Sequence, residues 1–358
     1  VKGIVRWLRN LIFVLLLLVG SYIAYVFLDY HRIPDHQALQ IVQKGKDSEL
    51  EAEKDYSIMT YNVGFGAYLP DFSFFMDGGK SSWAKSETSV QQTLDAIGEM
   101  VSKENPDFSL FQEVDLAGTR SYNVNQYGLL QEHLKKQSST FAVNYDSSFL
   151  FYPLGQPHGK NRSGLATFAK TGIKSAQRRS LPISNGFSKF FDLDRAYSVQ
   201  RFAVENDKEL VLINVHLSAY SQDKNVRNGQ MKMLTDEMES AYAKGDYIIV
   251  GGDLNHDLEA AEGENPGGRS WTVAFPRKAL GEHFSLAMDG LTDAQRLSLG
   301  HSARDANEAY QVGRTFTVTV DGFIISDNVA VTDYHLLKTG YAYSDHDPVE
   351  MRFYLKKD

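Results

Sequence analysis

The sequence predicts an α+β protein in which β-sheets pack face to face with helices outside, preceded by one membrane-spanning helix. Three observations lead there. Strand-length apolar runs recur along the chain with few amphipathic helical segments between them, the pattern of packed sheets and not of a simple doubly wound fold. Hydrophobic residues make up 42% and charged residues 23% of the 358 positions, the balance of a globular chain. Asn10 to Leu28 contains no charged residue.

That apolar stretch comes first. A bilayer core takes about 20 helical residues, and 10–28 is just long enough. Lys2, Arg6 and Arg9 precede it and Asp29 follows it, so the positive-inside rule keeps residues 1–9 cytoplasmic and places the rest outside. A cleaved signal peptide is the competing reading, but its apolar region is usually shorter and ends in small residues. Tyr25, Val26, Phe27 and Leu28 do not fit that cleavage context. Residues 29–55 are polar and charged and are expected to form a stalk, partly helical, that lifts a single domain (56–358) off the membrane.

Within that domain, Ser57–Asn62 reads as a strand. Ser86–Lys103 reads as a helix with Val90, Leu94, Ile97 and Val101 on one face, stopped by Asn105-Pro106. Strands are expected at 107–112, 141–145, 165–169, 198–204, 210–216, 247–251, 320–326, 329–337 and 348–355, and further helices at 127–136 and 226–243. The sequence has no cysteine, which excludes disulfides, thiolate metal sites and a cysteine nucleophile. Net charge is −8. Setting aside the three basic residues before Asp29 leaves −11 on the remainder, without the basic footprint of a nucleic-acid binder.

Polar clusters stand at the ends of the apolar runs. After Tyr247–Val250 comes Gly251-Gly252-Asp253-Leu254-Asn255. Side chains alternate on extended backbone, so Asp253 and Asn255 point the same way and can hold a phosphate oxygen and a water together. The other clusters are Tyr61-Asn62, Gln112-Glu113-Val114-Asp115, Asn214-Val215-His216-Leu217 and Ser344-Asp345-His346-Asp347-Pro348, with Asp321 inside a further apolar strand.

In wording and order these clusters resemble the endonuclease/exonuclease/phosphatase superfamily. The likeness runs from about Ser57 to Phe353 through Thr-Tyr-Asn-Val, Phe-Gln-Glu-Val, Asn-Val-His-Leu, Gly-Gly-Asp-Leu-Asn and Ser-Asp-His-Asp-Pro-Val. Ser163–Lys170 also looks like an internal strand of that family. The resemblance implies a four-layer α/β sandwich of two packed mixed sheets, with the site at one end of the sheets. It also implies a phosphoesterase using Mg²⁺ or Mn²⁺. Glu113 would bind the metal with Asn62 beside it, and Asp345 would support it through water. His346 would be the general base, oriented by Asp321. Asp253 would align the attacking water, Asn255 would donate to a non-bridging oxygen, and His216 would stabilise the transition state.

Plainer readings stand beside these. A strand-end Asp is most often a turn former, the reading favoured for Asp257 and Asp347. Asp115 reads as a neighbouring loop acid, His256 points to the opposite face, and His216 could be a satisfied core histidine. Gly79-Lys80-Ser81 echoes a phosphate loop, but Phe74 stands where its first glycine belongs. A binuclear metallophosphatase is disfavoured because Leu254, not the Gly of a Gly-Asn-His element, precedes Asn255, and Asp29-x-His31 lies at the membrane boundary.

Specificity is less legible. The aromatic, Gly-rich loop 64–82, with Tyr68, Phe72, Phe74 and Phe75, could line a pocket, dip towards lipid or pack on the core. Pro157–Arg162, Arg178-Arg179 and Arg195 could grip phosphate. The acidic body favours phospholipid headgroups or small extracellular phosphoesters over nucleic acid. An anchored nuclease and a non-catalytic binding module remain the alternatives, and a monomer is expected.

Overall fold

A computed structural model describes residues 2–218, 224–261 and 272–357. Its helices are α1 (Lys2–Asp29), α2 (Glu87–Glu104), α3 (Gln126–His133), α4 (Lys224–Tyr242) and α5 (Asp293–Leu299). Its strands are β1 (Gln37–Ala38), β2 (Ile41–Val42), β3 (Tyr56–Asn62), β4 (Phe108–Gly118), β5 (Ser138–Asp146), β6 (Asn161–Ala169), β7 (Ser175–Ser180) and β8 (Ala196–Ala203). They continue with β9 (Glu209–His216), β10 (Tyr247–Asp253), β11 (Phe284–Leu286), β12 (Ala303–Arg304), β13 (Thr317–Val318), β14 (Asp321–Ser326), β15 (Val329–Leu336) and β16 (Val349–Leu355).

Two seven-stranded mixed sheets form, in the orders β1-β7-β8-β9-β10-β14-β11 and β15-β16-β3-β4-β6-β5-β2. The expected two-sheet architecture is therefore present. The first sheet has the parallel pair β9/β10 and the second has β3/β4. Parallel neighbours need a crossover connection, and α2 and α4 supply one each. Parallel pairing also brings both carboxyl ends of a pair to the same edge, so each sheet delivers two polar strand ends together.

Local sequence explains these units. In α2, Val90, Leu94, Ile97 and Val101 are buried at three- and four-residue spacing. Ser86 caps its start by accepting from the Ser89 amide, and Asn105 closes its end in the left-handed region. On β3 the faces alternate: Ile58 enters the core between the sheets, while Met59 and Tyr61 enter the core that α2 covers. A buried polar network crosses between the sheets. Gln112 Nε2 donates to Asn214 Oδ1 (2.9 Å) and Thr60 Oγ1 (3.1 Å), and Asn214 Nδ2 donates to the Phe111 (3.2 Å) and Ala166 (3.0 Å) carbonyls.

Residues 29–55, read from the sequence as a stalk, instead run along the domain. β1 pairs with β7 and β2 with β5, so this segment covers an edge of each sheet. Arg32 forms an ion pair with Asp194, the Leu50 amide donates to the Ala203 carbonyl at 2.8 Å, and the Leu50 side chain is buried. The physical reason is the open edge, whose unpaired backbone groups accept a partner strand of any side-chain composition. Runs of two residues leave no periodicity to read. α1 stands outside the core, with Val26 its one buried residue among those described. It is compatible with a signal anchor or a signal peptide.

The inter-sheet network supports a test of stability. Asn214→Leu leaves the Gln112 amide and the Ala166 carbonyl short of a partner inside a buried interface. A loss of about 2–3 kcal/mol is expected, read as a lower urea midpoint with an unchanged m-value.

Candidate active site

The strand ends converge by register. Asp253 on β10 lies opposite His216 on β9 and opposite Asp321 on β14, so three titratable side chains stand in a row across one sheet edge. Gly252 makes this approach possible: a Cβ there would lie 2.0 Å from the Val215 carbonyl oxygen. On the other sheet, Asn62 ends β3 beside Gln112 of β4. The β4/β6 register then shifts between Phe111 and Val114, a bulge that sets Glu113 at φ +56°. Bulges re-aim side chains next to functional sites, and a left-handed backbone on a non-glycine residue is strain kept by its surroundings. Asn255 has the same character at φ +49°.

One carboxamide joins the two sheets. Asn62 Nδ2 donates to Glu113 Oε1 at 3.2 Å and to Asp253 Oδ2 at 3.1 Å, while its Oδ1 accepts from the Gly64 amide at 3.0 Å. Gly64 sits at φ +51°, and a Cβ there would meet Ser344 Oγ and Asp345 Oδ1 at 3.1 and 3.2 Å. That close approach brings the loop after β3 against the loop before β16. Ser344 Oγ donates to the Asn62 carbonyl at 2.8 Å.

His346 Nδ1–H donates to Asp321 Oδ2 at 2.7 Å, which directs Nε2 towards Asp253, 3.8 Å from Oδ2. Ser302 Oγ donates to the same Asp321 oxygen at 2.7 Å. Burial works against the imidazolium, but the charges of Asp321 and Asp345, the hydrogen bond His346 gives to Asp321 and the charge of Asp253 prevail and hold His346 well above the ordinary histidine range. Burial, with Asp321 adding to it, pushes Asp253 up to about 7. His216 Nε2 lies 3.5 Å from Asp253 Oδ2. Burial, then the positive charges of Arg195 and His346, holds His216 well below the usual range, so it stays a neutral donor. Asn255 gives its backbone N–H to Asp253 Oδ1 (2.9 Å) and one amide hydrogen to the Leu217 carbonyl (2.9 Å), leaving the second amide hydrogen for another acceptor.

A cavity of about 400 Å³ opens over this group and is lined by Glu113, His216, Asp253, Asn255, Asp345 and His346. Asp321 lies behind His346, in contact with it and not with the cavity. All eight residues singled out in the sequence thus gather at one place. Asp257 forms a local turn, accepting from the Glu259 and Ala260 amides, whereas Asp347 braces the loop before it by accepting from the Gly340 and Tyr341 amides. His256 is buried against Phe275, away from the cavity.

Several lining residues escaped the sequence reading. Arg120 donates to both Asp115 oxygens and lies 3.8 Å over the Phe65 ring, so Asp115 holds a cavity arginine. Arg304 and Tyr145 also line the cavity, and so does His158 of the candidate segment Pro157–Arg162. Of the basic candidates, Arg195 reaches it, whereas Arg178 is spent on the backbone of Val143 and Pro34, and Arg179 on Glu237 and Asp35. The aromatic loop does two things at once: Tyr68 and Phe74 line the cavity and also belong to the buried cluster beneath α2.

Residues 59–346 match the Endonuclease/Exonuclease/phosphatase family model. The chain belongs to that family, whose members are metal-dependent phosphoesterases. Among solved structures, the fold is similar to an endonuclease/exonuclease/phosphatase from Beutenbergia cavernae, with TM-score 0.61, 16% identity, and coverage of 85% of this chain and 72% of that one. A family protein from Leptotrichia buccalis gives TM-score 0.55 at 13% identity, covering 83% and 99%. D. rerio TDP2 complexed with a single-stranded DNA product gives 0.55 at 15%, covering 84% and 99%. At these identities the likeness is one of fold. No curated protein matches the sequence.

The electrostatics of the His346–Asp321 pair can be checked directly. Because Asp321 raises His346 and burial opposes it, Asp321→Asn removes a raising influence and leaves the lowering one. In NMR titrations of metal-free protein, His346 is expected to deprotonate above the ordinary histidine range in the parent and markedly lower in the variant. An unchanged titration would contradict the pairing.

Proposed function

We propose that this protein is a membrane-tethered, Mg²⁺- or Mn²⁺-dependent hydrolase of phosphoesters, acting on phospholipid headgroups or small extracellular phosphoesters. The observation that carries the reading is the single cavity shared by the Glu113/Asp345 carboxylates and the His346–Asp253 pair.

The donor set fits a hard divalent ion. Glu113 and Asp345 offer carboxylate oxygens, and the chain has no thiolate to favour a softer metal. Burial, opposed by the Arg120 charge and aided by that of Asp345, raises Glu113 above the usual carboxylate range. Asn62 is oriented to bridge two carboxylates, so it positions Glu113 and has one carbonyl lone pair left for direct ligation. A second grouping, Asp253, Asp321 and His346, also has three ligand atoms within 4.8 Å. Its Asp321–His346 hydrogen bond already engages one atom of each of those two residues, which favours Glu113 and Asp345 as the ligands in this reading.

Bound there, the ion would polarise a phosphoryl oxygen and offset charge on the leaving group. The protein's own groups do the rest. His346, once neutral, takes a proton from a water held between Nε2 and Asp253, while Asp321 fixes its tautomer and stabilises the cation formed. The free hydrogen of the Asn255 amide and the neutral His216 ring donate to non-bridging oxygens where negative charge grows.

A net charge of −11 beyond the anchor speaks against long polyanions. Tethering by α1 would raise the effective concentration of a membrane-borne substrate. Buried Arg120, Arg195 and Arg304 give the cavity local positive charge within this acidic body.

A panel of phospholipids, sugar phosphates, nucleotides and plasmid DNA under Mg²⁺ or Mn²⁺ tests the substrate class. Turnover of lipid or small phosphoesters, abolished by chelator, is expected. Rapid plasmid digestion with lipid untouched would establish the nuclease reading instead. Asp253→Ala and His346→Ala are each expected to lower turnover about 10³-fold or more with an unchanged thermal midpoint, and activity surviving both changes would remove this mechanism. Asn62→Ala is expected to weaken Mn²⁺ binding about 10–100-fold by calorimetry.

A further inference from the structure

The end of α1 does not hang free of the domain. Tyr22 Oη donates to the Phe149 carbonyl at 3.1 Å and accepts from the Phe151 amide at 3.2 Å, and Tyr25 Oη accepts from the Phe149 amide at 3.1 Å. The Tyr22 and Phe151 rings meet edge to face at 5.0 Å. On another side of the helix, the Phe27 and Tyr30 rings pack on Phe190 at 4.6 and 4.9 Å. Two separate loops, 147–154 and 187–191, therefore clasp the last two turns of the apolar helix.

These loops also expose large apolar side chains. Phe151 is 51% exposed, Tyr152 68%, Leu154 86% and Phe187 63%. Both loops lead to the catalytic cavity. Phe187 packs on Phe191, which lines it, and Tyr152 packs on Phe75, whose ring meets the lining residue His158 at 5.5 Å. Lys189 lies 5.2 Å from the Tyr30 ring, and Lys160 lies 3.9 Å from Asp29, which places two cations at the level where the helix ends.

We propose that these two loops are seated in the outer interface of the bilayer that α1 spans, so that the catalytic cavity opens at the membrane surface and takes its phosphoester from a lipid. The inference rests on the anchored phosphoesterase reading given above and deepens it. Depth follows from helix geometry: Tyr22 precedes Asp29 by seven residues, roughly 10 Å at 1.5 Å per residue. A loop bonded to Tyr22 thus lies about 10 Å below the helix end, within the headgroup and upper acyl region where aromatic side chains collect. Exposed Leu154 and Phe187 gain burial there, and Lys160 and Lys189 meet anionic headgroups. A domain on a free stalk would not need such a rim; the strap of residues 29–55 shows that the domain is held close instead.

The absence of native cysteine makes the test clean. Leu154→Cys and Phe187→Cys are introduced singly into the full chain, spin-labelled and reconstituted in nanodiscs of phosphatidylcholine and phosphatidylglycerol. Accessibility to oxygen is then compared with accessibility to a water-soluble nickel chelate. Leu16→Cys in α1 serves as the lipid reference. Leu297→Cys in α5 serves as the water reference, being 89% exposed near β15, at the opposite edge of its sheet from β2. The expected result is an oxygen-to-nickel ratio at 154 and 187 several-fold above that at 297. Water-like ratios at both loops with a lipid-like ratio at 16 would overturn the seated rim while leaving the anchor intact. A water-like ratio at 16 as well would remove the anchored reading itself. Loop labels shielded from both reagents would mean that protein covers the rim, and would overturn the proposal too.

Discussion

The site depends on one contact between the two sheets: the Asn62 amide, which reaches Glu113 on its own sheet and Asp253 on the other. Two parallel strand pairs deliver their carboxyl ends to the same edge of the sandwich, and this carboxamide ties the ends together. A neutral donor between buried Asp253 and half-buried Glu113 lessens their repulsion without supplying a counter-charge. The remaining negative charge is met by His346 on one side, and Glu113 faces the open cavity on the other. The arrangement separates an acid–base half, built on β10, β14 and the loop before β16, from a cation-seeking half built on the β4 bulge.

That separation explains where strain and desolvation are tolerated. Glu113 and Asn255 keep left-handed backbones, and Gly64 and Gly252 occupy points where a side chain would collide. Such positions are held by the buried interior beneath them, where polar groups such as Gln112 and Asn214 pair across the sheets. The fold spends regular structure below the site and irregular backbone at its rim.

Much of this was legible in the sequence because the functional residues end apolar runs. Asp253 and Asn255 follow Tyr247–Val250, Asp321 opens a strand, and His216 closes one, so their placement at one sheet edge follows from reading strands. Arg120, Arg304 and Tyr145 were not legible. Tertiary packing brings them to the cavity from β5, from the short β12 and from the turn after β4, and Arg120 depends on Asp115, which read as a loop acid. The strap at 29–55 was hidden for a different reason: strands of two residues carry no period, and edge pairing uses backbone groups that sequence does not distinguish. Loop 64–82 offered a pocket wall or core packing as alternatives, and Tyr68 and Phe74 do both.

The account's central claim is a division of labour between carboxylates, and one measurement addresses it most directly: anomalous diffraction from crystals soaked in Mn²⁺. The expected result is a peak bound by Glu113 and Asp345, with His346 still hydrogen-bonded to Asp321. A peak held instead by Asp253, Asp321 and His346, or Glu113 left without an ion at saturating Mn²⁺, would contradict it.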